Sequence, residues 1–316
     1  MVVVLKPDTK EEQIENLKVW LSSMGISTHI SRGVNHTIVG LVGDTSVVDM
    51  DLVRALDIVE NVQRIQEPFK NANRKFHNAD QVVDIAGVKI GGGNFQIIAG
   101  PCSVESEAQV CEIAERVKAA GAGLLRGGAF KPRTSPYAFQ GLKGDGLKLL
   151  VEAKQLTGLP IVSEIMNAVH IPMFEESVDL VQVGARNMQN FELLKELGRT
   201  RKPILLKRGL ANTLQELLMS AEYIMAGGNE NVILLKCTSA YPAPYEDINL
   251  KTIPSMKEVF DCVVGLSDHT MGCAVAGAGV ALGAKVVEKH LTLRRADGGA
   301  DAAFSMEPEE FKEMED

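Results

Sequence analysis

Two constellations of reactive residues stand out in this chain. The first is basic: Arg126, Lys131, Arg186, Lys207 and Arg208 each lie at or just beyond the end of a short apolar run. Planar guanidinium groups grip phosphates and carboxylates in bidentate fashion, and ammonium groups add point charges. A bowl of these residues suits a substrate carrying both anions. The second is Cys102, His269, Glu288 and Asp301. A thiol, an imidazole and two carboxylates are ligand types that hold Mn, Fe, Co or Zn. Taken singly, any of the cations could instead make an ion pair, and Cys102 could be a buried free thiol.

These residues act together only if the fold makes them converge. Apolar runs at 97–100, 124–128, 160–164, 180–184, 203–209, 232–238, 263–269 and 285–290 alternate with segments of helical period, among them 106–120, 146–156, 191–197 and 213–226. Eight such units predict an α/β fold, a (β/α)8 TIM barrel, whose active site lies at the C-terminal ends of the strands. Those ends carry Cys102, Arg126, Glu164, Gln182, Arg186, Lys207, Lys236, His269 and Glu288. Polar ends on that many apolar runs would be costly in a packed core, so the rim reads as a polar site. No glycine-rich dinucleotide fingerprint follows the first run, which argues against a doubly wound sheet. The last helix, 308–316, is short and predicts a thinly covered seam. Gly91-Gly92-Gly93 between 88–90 and 95–96 predicts a hairpin.

Ahead of the barrel, residues 1–69 read as a small unit. Strands are expected at 2–5, 26–30, 36–42 and 62–65. Helices are expected at 10–23, with Ile14, Leu17, Trp20 and Leu21 on one face, and at 47–59. The order β-α-β-β-α-β is the ferredoxin-like signature. Residues 70–83 are polar and read as a linker, leaving 84–316 as the catalytic barrel.

Composition narrows the function. A net charge of −8 gives non-specific nucleic-acid binding no global support, so an anionic substrate must rely on the local basic cluster. No apolar run reaches the ~18 residues of a membrane helix, and no secretory signal pattern opens the chain. The five cysteines form no CxxC pair, which argues against a disulfide scaffold and fits a reducing, cytoplasmic setting.

The segments Ile98-Ala-Gly-Pro-Cys-Ser103, Leu125-Arg-Gly-Gly-Ala-Phe-Lys-Pro-Arg-Thr-Ser135, Gly184-Ala-Arg-Asn-Met-Gln-Asn190 and Leu206-Lys-Arg-Gly209 resemble 3-deoxy-D-arabino-heptulosonate-7-phosphate (DAHP) synthases. The resemblance is to the short form with an N-terminal ferredoxin-like domain, and it covers residues 1 to about 233. Beyond it, Leu234-Leu-Lys-Cys-Thr-Ser-Ala-Tyr-Pro-Ala-Pro-Tyr-Glu-Asp247, Gly265-Leu-Ser-Asp-His-Thr270, Glu288-Lys-His-Leu-Thr292 and residues 297–306 resemble sialic, legionaminic or pseudaminic acid synthases. The chain looks like a join of two related barrels at about the sixth strand.

The first resemblance implies condensation of phosphoenolpyruvate with erythrose 4-phosphate, the first step of the shikimate pathway. It implies that Arg126, Lys131, Arg186 and Lys207 fix phosphoenolpyruvate. Lys131, Pro132, Arg133 and Thr134 would hold the sugar phosphate, with Arg208, Glu164 and Asn187 as further contacts. Lys131 would donate a proton to the nascent alkoxide. The divalent metal would sit on Cys102, His269, Glu288 and Asp301; in the sialic-type reading His290 replaces Glu288. The Arg-containing segment expected after the sixth strand is replaced by Lys236-Cys-Thr-Ser-Ala-Tyr241. The resemblance further implies feedback by Tyr or Phe, with His29 and Ser31 as contacts, and a homo-oligomer, a tetramer. Tyr241 and Tyr245 favour the alternative of a nonulosonate synthase. A barrel that binds phosphoenolpyruvate without turning it over is the third reading.

Overall fold

The computed structural model describes residues 1–33, 36–63, 71–74, 79–132, 135, 137–209 and 211–315. It divides into two units, Met1–Pro68 and Phe69–Asp316.

In the first unit β1 (Val2–Leu5), α1 (Glu11–Ser23), β2 (Ser27–Arg32), β3 (Thr37–Val42), α2 (Met50–Arg54) and β4 (Val59–Gln63) follow in the expected order. The sheet order is β2-β3-β1-β4, all antiparallel. Alternate residues Val3 and Leu5, with Val39 and Leu41, bury one sheet face against Ile14, Leu17 and Leu21 of α1. The second helix is much shorter than 47–59. A 3-10 turn (Thr45–Val47) precedes it, and the Asp49 side chain caps it by accepting from the backbone of Asp51 and Leu52. The β-branched Val59 joins β4, which pairs with β1 and so begins earlier than 62. Ile65 lies outside the described residues. His29 and Ser31 sit exposed on edge strand β2, on one face of it. His36 lies 3.1 Å from Glu60.

The second unit opens with a correction. The turn at Gly91-Gly92-Gly93 closes with a single antiparallel bridge between Gly91 and Asn94, but the strand partner of Val88–Gly91 (β6) is not 95–96; it is β5 (Val82–Ile85), inside the stretch read as linker and barrel start. The turn residues Ala86 and Gly87 both have positive φ, 49° and 94°, the geometry that matches the twist of a two-residue hairpin. Asn71 and Ala72, in the polar stretch before it, are packed as well. Ala72 is fully buried, and the backbone of Asn71 and Ala72 donates to Glu222.

Eight parallel strands then close a barrel: β7 (Gln96–Gly100), β8 (Leu124–Arg126), β9 (Ile161–Glu164), β10 (Leu180–Val183), β11 (Ile204–Lys207), β12 (Val232–Cys237), β13 (Val263–Asp268) and β14 (Val286–His290). Helices α3 (Glu107–Ala120), α4 (Gly144–Thr157), α5 (Ile171–Ser177), α6 (Phe191–Leu197), α7 (Leu214–Ala226), α8 (Thr252–Val259), α9 (Ala274–Ala281) and α10 (Pro308–Glu315) follow the strands in turn. Short α10 nonetheless packs against α3 through the fully buried Phe311. No helix among the described residues is long and apolar enough to cross a membrane.

The barrel interior explains where the site lies. Val83, Ile85 and Ile90 of the hairpin share a core with Ile98, Leu124, Val162, Leu180, Leu205, Ile233, Leu235, Val263 and Val286. This apolar layer fills one end of the barrel. Strand side chains alternate in direction, so the residue two positions after each inward apolar residue also points inward, one layer nearer the C-terminal rim. Those residues include Arg126, Glu164, Gln182, Lys207, Cys237 and Glu288.

Candidate active site

A cavity of about 380 Å³ opens at the C-terminal rim, lined by these inward residues other than Glu288 and by the loops beyond them. Closure of β14 onto β7, with His290 opposite Gly100, brings the start of the barrel beside its end. Cys102, two residues past β7, therefore faces His290. At Gly100 (φ 148°) an added Cβ would collide with the Arg126 carbonyl, so only glycine lets β7 turn into the Cys102 loop here. Asp301 reaches the same corner from the loop after β14. It has a left-handed backbone (φ 59°), and Ser305 Oγ donates to its carbonyl at 2.8 Å.

The cations surround the other side. Arg126 is buried, and its Nε and one terminal nitrogen have no hydrogen-bond partner among the described residues. Buried donors without acceptors are costly, and an anionic substrate in the cavity would supply them. Lys207 Nζ donates to Glu288 Oε1 at 2.6 Å. Burial pushes the Glu288 carboxyl upward, but Lys207 and Arg126 outweigh it and hold the group at about 2. Burial likewise pulls Lys207 down, and the Glu288 carboxylate more than restores it. Arg186, at the exposed rim, donates to the Pro132 carbonyl at 2.9 Å and so ties the loop after β10 to the loop after β8. Lys131 Nζ contacts Cys102 Sγ at 2.8 Å and the Cys102 carbonyl at 2.9 Å.

The metal-ligating types form two overlapping groups. Ligand atoms of Cys102, His290 and Asp301 lie within 4.8 Å of one another, as do those of His269, Glu288 and His290. Cys102 Sγ is 2.7 Å from Asp301 Oδ2. Burial raises the Cys102 thiol pKa more than Lys131 lowers it. His269 Nδ1 is 2.9 Å from the Thr238 carbonyl. A carbonyl only accepts, so Nδ1 carries the proton and Nε2 keeps its lone pair. Burial, aided by Lys207, holds His269 at about 4, and His290 is held well below its ordinary value by burial and then Arg126. Both imidazoles are thus neutral at pH 7, the form that binds a metal. His290 Nδ1 is buried without a partner among the described residues. The donor set fits a divalent ion.

The cavity thus gathers Cys102, Arg126, Lys131, Pro132, Glu164, Arg186, Lys207, His269 and Asp301, with Glu288 buried behind Lys207. Arg208 and Asn187 are exceptions, since neither lines the cavity. Arg208 lies one residue out of phase with Lys207, and its guanidinium donates instead to the Asn212 carbonyl at 2.9 Å. Arg133 and Thr134 lie outside the described residues. Gln182 and Tyr241 also line the cavity, as do Cys237 and Ser239, which the sequence does not single out; the two-residue phase of β12 points to Cys237. The Tyr241 ring lies 4.6 Å from that of His269.

A closed parallel barrel with buried cations facing thiol, imidazole and carboxylate groups defines a barrel enzyme for a small anionic substrate. The chain belongs to the DAHP synthetase I family, which matches residues 63–267, and residues 1–67 match the DAHP synthase ferredoxin-like domain. It is 40% identical to the phospho-2-dehydro-3-deoxyheptonate aldolase of Thermotoga maritima, over 99% of this chain and 95% of that one. A crystal structure of the Thermotoga maritima DAHP synthase superimposes with a TM-score of 0.81 at 37% identity, covering 99% of this chain and 94% of that chain. A pseudaminic acid synthase of Campylobacter jejuni is 44% identical over 41% of this chain and 37% of its own length. Similarity to both synthase types is therefore present, the second only in part. The DAHP synthetase match ends before His269, Glu288, His290 and Asp301.

Proposed function

We propose that the protein condenses phosphoenolpyruvate with erythrose 4-phosphate to give DAHP and inorganic phosphate. The observation that carries this reading is the buried, under-partnered Arg126 in a cavity shared with Lys131, Arg186 and Lys207. Arg126, Lys207 and Arg186 hold the phosphate and carboxylate of phosphoenolpyruvate through charge-assisted hydrogen bonds. Fixing it aligns its C3 with the aldehyde carbon, which removes most of the entropy cost of joining two molecules. The C3–aldehyde bond forms, a water oxygen adds at C2, and the resulting hemiketal phosphate releases inorganic phosphate. Lys131 delivers a proton to the alkoxide left on the former aldehyde. A divalent ion, Mn, Fe, Co or Zn, bound among Cys102, His269, Asp301 and either Glu288 or His290 would supply Lewis acidity toward the aldehyde oxygen. Pro132, with Arg133 and Thr134, holds the sugar phosphate, and Glu164 lines that side.

The ferredoxin-like unit acts as a regulator that takes Tyr or Phe at the exposed face of β2 bearing His29 and Ser31, within a homotetramer. A second reading, a nonulosonate synthase, is supported by the partial similarity to pseudaminic acid synthase and by Tyr241 beside His269. Phosphate release from phosphoenolpyruvate, measured with erythrose 4-phosphate and with an N-acetylated hexose in parallel, separates them. Release only with the tetrose phosphate is expected. Release only with the hexose selects the second reading, and release with neither leaves a binding barrel.

A further inference from the structure

We propose that Lys289, which the barrel buries outside the cavity, is a positioning residue for the condensation: with Asp268 it ties down the loop 269–272 and so holds His269 and the loop bearing Tyr241 at the cavity wall. The inference rests on the reading above, in which that wall takes part in the reaction. Glu288 and His290 of β14 point into the barrel, so Lys289 between them points out. Asp268 does the same on the neighbouring strand β13, where the two stand in register. Asp268 is 2% and Lys289 1% exposed. Their neighbours in the same phase, Val264, Leu266 and Val287, belong to the apolar layer between strands and helices. For stability alone, an apolar pair of similar size serves such a layer as well as an ion pair or better.

The hydrogen bonds give the pair another role. An ammonium has three protons. Those of Lys289 go to Asp268 Oδ2 at 2.7 Å, the Thr270 carbonyl at 2.7 Å and the Gly272 carbonyl at 3.1 Å. Asp268 Oδ1 accepts from the Thr270 amide at 2.9 Å and from Thr270 Oγ1 at 2.8 Å. The loop leaving β13 is thus held from outside the barrel at two carbonyls, an amide and a hydroxyl. It in turn holds the loop after β12. The Ala243 amide donates to the His269 carbonyl at 3.0 Å, Tyr245 Oη to the Met271 carbonyl at 2.8 Å, and His269 Nδ1 to the Thr238 carbonyl at 2.9 Å. His269 and Tyr241 both line the cavity, so the tether ends at its wall.

Lys289→Met and the double variant Asp268→Asn/Lys289→Met, made in the full chain, test this. The single variant strands the Asp268 carboxylate and should lose stability. The double variant removes both charges, keeps an oxygen for Thr270, and should regain it. In both, kcat should fall by the ~10–100-fold that loss of an outer partner costs. The dissociation constant for phosphoenolpyruvate should stay unchanged, because Arg126, Lys131, Arg186 and Lys207 keep their contacts. Hydrogen exchange read by mass spectrometry should quicken in the double variant within 238–249 and 269–273 and nowhere else. A double variant that regains kcat along with stability, or whose exchange in those two stretches matches the wild type, overturns the proposal. So does a fall in phosphoenolpyruvate affinity equal to the fall in kcat. A wild type that forms no product refutes the functional reading, whereas the exchange comparison needs no substrate and judges the tether by itself.

Discussion

Lys131 Nζ lies 2.8 Å from Cys102 Sγ, so the residue assigned to proton delivery touches the thiol assigned to the metal. Positioned proton transfer is worth ~10²–10⁴-fold in rate. Lys131→Met is therefore expected to lower kcat by that order while the dissociation constant for phosphoenolpyruvate changes far less. Steady-state kinetics alongside calorimetric binding would check this, and a loss confined to binding would refute the assignment.

Arg186 and Lys207 contribute differently. Loss of a charge-assisted hydrogen bond costs ~1.5–3 kcal/mol, or ~10–100-fold in affinity. The exposed Arg186 should fall at the low end and the buried Lys207 at the high end. Lys207→Ala also takes from buried Glu288 its nearer cation and leaves only Arg126 at 3.8 Å, so it should lower unfolding stability, toward the low end of the ~3–5 kcal/mol for breaking a buried pair, whereas Arg186→Ala should not. Denaturant unfolding and phosphoenolpyruvate titration of both variants give four values to compare. Equal stability of the two variants would contradict the pairing.

Lys236 points away from the cavity, its Nζ 2.5 Å from Thr238 Oγ1. Burial, helped by Arg208 and opposed by Cys237, lowers its pKa to about 8. Between that value and the ordinary 10.5 the unfolded chain holds a proton that the folded chain has shed, so this group makes stability rise with pH across the window. Lys236→Met should be more stable than wild type below pH 8 and lose the advantage progressively up to 10.5. A pH-independent difference in unfolding midpoint between the two proteins would rule this out.

The strand–helix alternation and the rim were legible because parallel strands buried on both faces read as apolar runs with polar ends. The choice among polar ends was not made at that stage. Arg208 and Lys207 are adjacent and equally basic, yet only Lys207 is in phase with inward Leu205. Gly91-Gly92-Gly93 does turn the chain, with positive φ at Gly91 and Gly92 and an antiparallel bridge from Gly91 to Asn94, but the strand-length pairing of 88–91 is with 82–85 through Ala86-Gly87, a weaker turn signal in composition. Glu288 and His290 are both in phase, and the nearest charged partner of Glu288, Lys207, lies 81 residues away in sequence.

The regulatory assignment has its own test. Deleting residues 1–68 should leave phosphoenolpyruvate binding intact and abolish any inhibition by Tyr or Phe. An effector shifts an equilibrium only by its differential affinity for the two states, so inhibition must come with measurable binding to the full chain. Failure of both amino acids to inhibit the full-length protein would leave the unit a purely structural role.

The central claim is metal-assisted condensation in this cavity. Its most direct measurement is product formation from phosphoenolpyruvate and erythrose 4-phosphate by the chelator-stripped protein, before and after adding Mn²⁺. No turnover before addition, and equimolar phosphate and DAHP after it, is the predicted result. Undiminished turnover after verified metal removal, or no DAHP with any divalent ion, would contradict the account.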